Sequence, residues 1–255
     1  MNNLYRHFST AVTFLTILPV PFFRSQVIAA ADLAKSFSFF PLAGLIIGSL
    51  CLVSTLILRN WMPPVLIAVT IAALLALLTR GLHLDGLADL ADGIGGGYTP
   101  ERRLQIMKDS HIGAFGTVAL VFAVVFKVAA LYTIIQAHYW TPLLLAPTFS
   151  RLTMVLTAYK SPYARSEGGL GKPFLEHMTG RQTLIAAILS CFPALLLEPT
   201  SLVFYLLATT LCAAAFRLLS RRSLGGITGD VLGATNEVSE IVLFTISACA
   251  AAHFE

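Results

Sequence analysis

The segment Ser36–Leu58, which reads SFSFFPLAGLIIGSLCLVSTLIL, contains no charged residue from end to end. An α-helix needs about 20 consecutive apolar residues to cross the hydrocarbon core of a bilayer. Val128–Ser150 is a second uncharged segment of comparable length. These two segments predict a protein that is built from membrane-spanning helices.

The composition of the whole chain supports this prediction. Of the 255 residues, 56% are hydrophobic and only 12% are charged, whereas soluble domains contain about 25% charged residues. Such a chain cannot cover a water-facing globule, which excludes a nucleic-acid-binding domain and a soluble dinucleotide-binding enzyme. We therefore predict an all-α integral membrane protein, a polytopic helical bundle in the lipid bilayer formed by one domain, residues 1–255, with no nucleic-acid partner.

The uncharged segments predict about seven transmembrane helices. Their predicted bounds are Phe37–Leu58, Trp61–Thr79, Ile112–Ile135, Tyr139–Ala158, Thr183–Leu197, Thr200–Phe216 and Val238–Phe254. The apolar run that follows Arg6 is ended early by Pro19 and Pro21. We interpret this run as an N-terminal helix that lies on the membrane surface, and an eighth span is the alternative.

Lysine and arginine alternate between the two sides of these spans. Alternate loops are basic, with Arg6, Arg24, Lys35, then Arg80, Arg102, Arg103, Lys108, then Lys160, Arg165, Lys172, Arg181, and finally Arg217, Arg221 and Arg222. The loops between them offer Arg59 alone. Because basic loops remain in the cytoplasm, we predict a cytoplasmic N-terminus and an outside C-terminus at Glu255.

A run of aspartates follows the second predicted span. The chain has six aspartates, and Asp85, Asp89 and Asp92 occur at the spacing i, i+4, i+7, which places them on one face of a helix. Like charges at this spacing destabilise a helix, so the arrangement favours a bound cation. Mg²⁺ is bound in proteins through a few carboxylates together with substrate phosphates.

A second group of acids follows Gly225-Gly226 in the last predicted cytoplasmic loop. Asp230 and Glu237 share a helix face, and Glu240 lies at its edge. Solvated loop charge is the alternative interpretation of these acids. We predict a metal site, formed by Asp85, Asp89, Asp92, Asp230 and Glu237, that faces the cytoplasm.

The residues around the acids point toward phosphate chemistry. Glycine-rich turns can present backbone N–H groups to anions, and basic side chains follow the first acid run. The candidate phosphate-binding residues are Lys108, Arg102, Arg103, Gly226 and Thr228. Acids, glycines and bases at one membrane surface are typical of Mg²⁺-assisted phosphoryl transfer. Lys127 lies inside a predicted span, where it could snorkel, pair with an acid or line a substrate path.

Three motifs resemble those of a known family. They are HLDGLAD at 83–89, KDSHIG at 108–113 and GITGDVLGA at 226–234, and FLTILPVP at 14–21 fits the same pattern. This chain resembles the cobalamin synthases, also called adenosylcobinamide-GDP ribazoletransferases. Lys108 stands where the family usually has arginine, which keeps the charge but loses the forked geometry.

The resemblance implies a Mg²⁺-dependent transferase of the cell inner membrane that acts late in cobalamin biosynthesis. It would join adenosylcobinamide-GDP to α-ribazole or α-ribazole 5′-phosphate and release GMP. A ribose hydroxyl would attack the phosphorus that is attached to cobinamide. The candidate catalytic residues, one of which would accept the hydroxyl proton, are His83, Asp109 and Glu237.

Three other classes of membrane protein fit the sequence less well. A CDP-alcohol phosphotransferase needs the motif DGxxAR, but Asp89-Leu90 stands where Ala-Arg is required. A prenyltransferase needs NDxxD, and Leu84 occupies the asparagine position. An ion-coupled transporter would place acids in the middle of its spans, whereas the acids here are predicted at helix ends.

Overall fold

The computed structural model describes residues 3–20, 30–165, 167, 172, 175 and 177–252. In that part of the chain the regular elements are helices, apart from one isolated bridge between Tyr163 and Ile227. In chain order the α-helices are α1 (Asn3–Leu15), α2 (Ala30–Ser36), α3 (Phe40–Leu58), α4 (Pro64–Leu78), α5 (Leu82–Gly96), α6 (Pro100–Ile106), α7 (Ala114–Gln136), α8 (Thr141–Ala158), α9 (Gly180–Leu197), α10 (Leu202–Leu224) and α11 (Gly229–Ala251).

The all-α membrane class is confirmed, and the predicted number of spans is approximate. Five helical segments are long and apolar enough to cross a bilayer, namely Asp32–Leu58, Ala114–Gln136, Gly180–Leu197, Leu202–Leu224 and Gly229–Ala251. A sixth is added if α4 and α5 count as one bent span. The predicted span Tyr139–Ala158 forms α8, which is too polar to be counted by composition. Fifteen of its 18 residues are buried, because α3, α9, α10 and α11 surround it.

Helix α1 is too short to cross the membrane by itself. It has 13 residues, which corresponds to about 20 Å of helix, and it packs on α2 and α3. Asp32, near the start of the first span, holds α1 through Arg6 at 2.8 Å and through Nε2 of His7 at 2.9 Å. Among the described residues, α1 is therefore not one of the helices that are long enough to span, and its place on the membrane surface stays a prediction.

The chain turns sharply between α4 and α5. The two helices are bent by 86°, and the turn uses left-handed backbone conformations at Arg80 and Gly81. Glycine adopts this conformation without a steric penalty, so Gly81 suits the turn. The bend directs α5, which carries the three aspartates, away from the axis of α4.

Helix α11 is the central helix of the bundle, and it begins earlier than its predicted span at Val238. It starts at Gly229, more than two turns before that position, and packs against α5, α7, α8 and α10. The assignment of Glu237 and Glu240 to a loop was therefore wrong, since both are buried within α11. The predicted end at Phe254 lies outside the described residues.

Helices α5 and α11 approach each other at two glycines. A Cβ atom added to Gly86 would lie 2.7 Å from the carbonyl oxygen of Asp230, and one added to Gly233 would lie 3.2 Å from that of Leu82. Small residues at a helix crossing allow the two backbones to come close. This crossing places the aspartate face of α5 beside the first turn of α11.

Candidate functional site

Three carboxylates lie near one another, without converging on one point, where α5 crosses α11. Asp85 and Asp89 are one turn apart on α5, and Asp85 and Asp230 both lie within electrostatic range of Asp89. Arg165 pairs with Asp230 at 2.7 Å. These three carboxylates, which we call the aspartate triad, and this one guanidinium together have a formal charge of −2. The predicted proximity of the first acid run to Asp230 is thus found in the fold.

The aspartate triad has the donor chemistry of a site for a hard divalent cation. Its ligands would all be carboxylate oxygens, the type that Mg²⁺ prefers, and a divalent ion would balance its charge. In the part of the chain that the structure describes, no three His, Cys, Asp or Glu side chains converge on one point. One oxygen of Asp230 is instead shared between Arg165 and the Thr228 hydroxyl, at 2.7 and 3.2 Å. Binding an ion would thus require side chains of the triad to reorient.

Asp92 shares the helix face of the triad but has a different partner. Its two oxygens accept hydrogen bonds from the backbone N–H groups of Gly113 and Gly116, at 2.7 and 2.8 Å. These donors belong to the start of α7, where the helix dipole favours a negative charge. Asp92 therefore connects α5 to α7, and its role as a metal ligand stays a prediction.

Glu237 lies two turns along α11 from Asp230, about 10 Å further into the bundle. It is bound there by Lys127 of α7, which also binds Glu240 at 2.9 Å. Glu240 in turn pairs with Arg151 of α8. We call these four residues the buried charge network. Of the three roles open to Lys127, the network shows pairing with acids across the bundle.

His83 is a candidate catalytic residue that lies between the triad and the buried charge network, at the wall of a cavity beside each. Its side chain is buried, and Nδ1 is 2.9 Å from the amide nitrogen of Asn236. No hydrogen-bond partner is recorded for its Nε2. His83 contributes to the walls of two cavities, one beside the triad and one beside the buried charge network.

Two cavities adjoin the aspartate triad. The first, of about 180 Å³, is lined by Asp85, Asp230 and a set of aromatic and aliphatic side chains, and we call it the aromatic cavity. The second is an open cleft of about 580 Å³ lined by Asp85 and Asp89, which we call the aspartate cleft. Both are bounded by Phe14, Leu82 and Asp85. Asp85 therefore lies at the border between the cleft and the cavity.

The predicted basic residues occupy different environments. Lys108 pairs with Glu167 at 2.5 Å at the edge of a further cleft of about 450 Å³, which Arg165 also lines and which we call the basic cleft. The hydrogen bond from Lys108 lowers the pKa of Glu167. Arg102 is exposed and donates to Gln105 at 2.8 Å. Of the predicted phosphate-binding residues in this region, Lys108 is thus the one that shares a cleft with Arg165, which pairs with the triad.

Arg103 has a structural environment. Its Nε donates to the carbonyl oxygen of Gly97 at 2.9 Å, and one terminal nitrogen donates to that of Ser223 at 3.1 Å. These bonds connect the start of α6 with the end of α10. Its phosphate-binding role stays a prediction.

Gly226 and Thr228 shape the approach to Asp230. A Cβ atom on Gly226 would lie 2.5 Å from the carbonyl oxygen of Pro162, because the chain around Tyr163 pairs with Ile227 through two backbone hydrogen bonds of 2.9 Å. Thr228 caps α11 by accepting a hydrogen bond from the N–H of Val231 at 3.2 Å. These contacts place Arg165 opposite Asp230.

Asp109 is the third candidate catalytic residue, and it lies in an exposed loop. The side chain of His111 is 2.6 Å from an oxygen of Asp109, and the backbone N–H of His111 donates to the same oxygen at 3.0 Å. These bonds lower the pKa of Asp109, which keeps it ionised at neutral pH. Its neighbours Ser110 and Ile112 line the aspartate cleft.

Sequence reasoning missed three residues around these sites. Arg165 was noted among basic residues that point toward phosphate and in a short motif that fits the family, but its pairing with Asp230 depends on the chain returning to α11. Arg151 was noted among the same basic residues without its pairing to Glu240, and Asn236 was assigned no role. An available signal was that polar side chains inside apolar helices usually face the bundle interior and find partners there.

Comparison with known proteins identifies the family of the chain. The family model for cobalamin-5-phosphate synthase matches residues 7–248. An adenosylcobinamide-GDP ribazoletransferase from Syntrophobacter fumaroxidans is 56% identical, over 96% of this chain and 99% of the relative. Proteins of the same name from Chlorobaculum parvum and Escherichia coli are each 37% identical, over 94% and 92% of this chain and 93% and 96% of their own. No solved structure matches the chain. The chain belongs to the cobalamin-5-phosphate synthase family and is a membrane-embedded transferase of cobalamin biosynthesis.

Proposed function

We propose that the enzyme joins adenosylcobinamide-GDP to α-ribazole or α-ribazole 5′-phosphate and releases GMP, with Mg²⁺ bound by the aspartate triad. The observation that carries this proposal is the crossing of α5 and α11 at Gly86, which brings Asp85 and Asp89 beside Asp230. The names of the relatives supply the two substrates. The charge of −2 on the triad and Arg165 matches a divalent ion.

In this reaction one phosphorus–oxygen bond replaces another. A hydroxyl oxygen of the ribazole ribose bonds to the phosphorus attached to cobinamide, and the bond from that phosphorus to the bridging oxygen of GMP breaks. Bound Mg²⁺ would neutralise the charge that develops on the phosphate oxygens. The hydroxyl proton passes to a base, and GMP leaves with the electron pair of the broken bond.

His83 is the residue that we favour as the proton acceptor. Its Nδ1 is 2.9 Å from the side-chain amide of Asn236, and for Nε2 to accept the hydroxyl proton this amide must turn its unpartnered carbonyl oxygen toward Nδ1–H. Asn236 therefore orients the ring, in the way that a hydrogen bond to one nitrogen sets the role of the other. Glu237 is held by Lys127 and is the weaker candidate.

The basic cleft suits the nucleotide part of the substrate. Arg165 lies at the border between this cleft and the aromatic cavity, and Lys108 lies further out. A diphosphate that extends from the aromatic cavity into the basic cleft would meet Arg165 at the reacting phosphate. It would meet Lys108 at the next phosphate. Arginine and lysine both bind phosphate oxygens, and arginine does so with two donors.

We place the enzyme in the cell inner membrane with its N-terminus and active site on the cytoplasmic side. The alternation of basic loops supports this orientation. Tyr98 and Trp61 are 97% and 83% exposed and lie in loops that belong to opposite sides. In a cysteine-free background, an impermeant thiol reagent added outside should label Trp61→Cys but not Tyr98→Cys. The reverse pattern would contradict the orientation.

The test of the reaction is GMP release by the purified enzyme supplied with adenosylcobinamide-GDP, α-ribazole and Mg²⁺. Asp85→Asn, Asp89→Asn and Asp230→Asn should each reduce turnover and shift its dependence on Mg²⁺ to higher concentration. Asp92→Asn is the matched control. Asp92 lies on the same face of α5, but its two oxygens are already bound by backbone N–H groups at the start of α7. No GMP release from the parent enzyme, or turnover that a chelator leaves intact, would overturn the proposal.

A further inference from the structure

The aromatic cavity has two chemically different ends. One end is polar and is formed by Asp85, Asp230, Arg165 and Tyr163. Burial raises the pKa of Tyr163, so its phenol stays protonated and can donate a hydrogen bond. The other end is apolar, and its side chains come from Phe14, Phe37, Phe40, Met154 and Leu232. A ligand that fills this space should therefore be apolar at one end and hydrogen-bonding at the other.

The apolar end includes a stack of three aromatic rings, so a ligand can stack only on a ring face that the stack leaves uncovered. The rings of Phe37 and Phe40 are 4.4 Å apart at an interplanar angle of 22°, and those of Phe14 and Phe40 are 6.1 Å apart at 17°. Phe37 and Phe40 are almost completely buried, so packing holds their orientation. Aromatic ligands stack favourably on such rings in offset geometry.

The cavity is also large enough for an aromatic ring. An apolar cavity of about 150 Å³ can accommodate benzene, and this one measures about 180 Å³. It adjoins the aspartate cleft at Asp85, so a ring system could fill the cavity while a polar substituent extends into the cleft.

We infer that the aromatic cavity binds the aromatic base of the ribazole substrate, with its ribose directed toward Asp85 and Asp230. This inference rests on the proposed function, which supplies a bicyclic aromatic base attached to a sugar. The base packs on the phenylalanine stack and between Met154 and Leu232, and the sugar hydroxyl meets the triad. A lipid acyl chain is the other apolar occupant of a membrane cavity, but it has no group for the charged end.

Met154 and Leu232 then determine which bases the enzyme accepts. Both are nearly buried and come from different helices, α8 and α11, so their sizes limit the cavity. Met154→Ala enlarges the cavity, and Leu232→Phe reduces it. Leu152→Ala is the matched control, because Leu152 is equally buried on α8 but does not line the cavity.

The experiment uses the full-length enzyme in lipid nanodiscs and two measurements. The first is direct binding of α-ribazole, followed by the fluorescence of its base. The second is the selectivity of GMP release among ribosides that carry one-, two- and three-ring bases. Met154→Ala should weaken α-ribazole binding by about tenfold, as expected for lost apolar contact, and should improve the relative use of the three-ring base. Leu232→Phe should shift selectivity toward the one-ring base. The KM for adenosylcobinamide-GDP should stay within twofold in both variants.

The outcomes separate this inference from the proposed function. If the parent enzyme releases GMP but Met154→Ala and Leu232→Phe leave base selectivity like that of Leu152→Ala, the cavity assignment is wrong and the reaction stands. If α-ribazole binding follows the variants but no GMP is released, the reaction is wrong and the cavity assignment stands. Acyl chains that remain bound at saturating α-ribazole, and that are lost in Leu232→Phe, would identify a lipid site and overturn the inference.

Discussion

The buried charge network allows one stability prediction to be worked out in detail. It contains two cations and two anions, with a formal charge of zero, and none of the four side chains is more than 7% exposed. Replacing Lys127 with Met leaves Glu237 and Glu240 with Arg151 as their remaining cation in the network. Removing one partner of a buried ion pair costs about 3–5 kcal/mol, because the other charge stays buried without compensation.

This cost translates into a measurable change in unfolding temperature. For a chain of this size 1 kcal/mol corresponds to about 2–4 °C, so Lys127→Met should lower the midpoint by about 6–20 °C. The assay is thermal unfolding of the purified protein in detergent, followed by circular dichroism. Lys160→Met, at an exposed position, is the control and should change the stability by less than about 0.5 kcal/mol.

A second variant tests the reason for the loss. Lys127→Met combined with Glu237→Gln removes one cation and one anion, so the network returns to a formal charge of zero. The double variant should regain most of the stability lost in the single variant, since compensated replacement of buried pairs is often neutral. An unfolding temperature of Lys127→Met equal to that of the parent, or a further decrease in the double variant, would refute the reasoning.

Three other predictions follow from single contacts. Gly86→Ala should separate α5 from α11 and abolish GMP release. The control Gly96→Ala should be tolerated, because its added Cβ meets only the end of a side chain at 3.3 Å. Equal GMP release by the two variants would contradict the close crossing. Asp92→Asn should lower the unfolding free energy by about 1–2 kcal/mol through a weakened helix cap without changing the Mg²⁺ dependence, and a changed Mg²⁺ dependence would make Asp92 a ligand. Lys108→Gln should weaken binding of adenosylcobinamide-GDP, less so at high salt, while Arg59→Gln should not; unchanged affinity at low salt would remove the phosphate role of Lys108.

Much of the architecture could be predicted because the bilayer imposes it locally. The hydrocarbon core demands long apolar helices, so uncharged length predicted the all-α membrane class and located most of the helices. The spacing of Asp85 and Asp89 placed both carboxylates on one helix face, since helix periodicity is a local property. The second acid cluster at the same membrane surface predicted Asp230 as the partner of the first acid run, and the motifs around both clusters then suggested the family.

Other features depend on contacts between segments that are distant in the chain. Charge alone suggested that Glu237 belonged to a loop, yet it is buried in α11 because Lys127 and Arg151 arrive from α7 and α8 to compensate the acids there. Asp92 has the same spacing as the triad, but the start of α7 engages both of its oxygens. An isolated helix specifies which face a side chain occupies, and the packing of helices decides what that face meets. For this reason the sequence determined the helices and their charged faces, whereas the tertiary structure decided which acids form the triad and which stabilise the bundle.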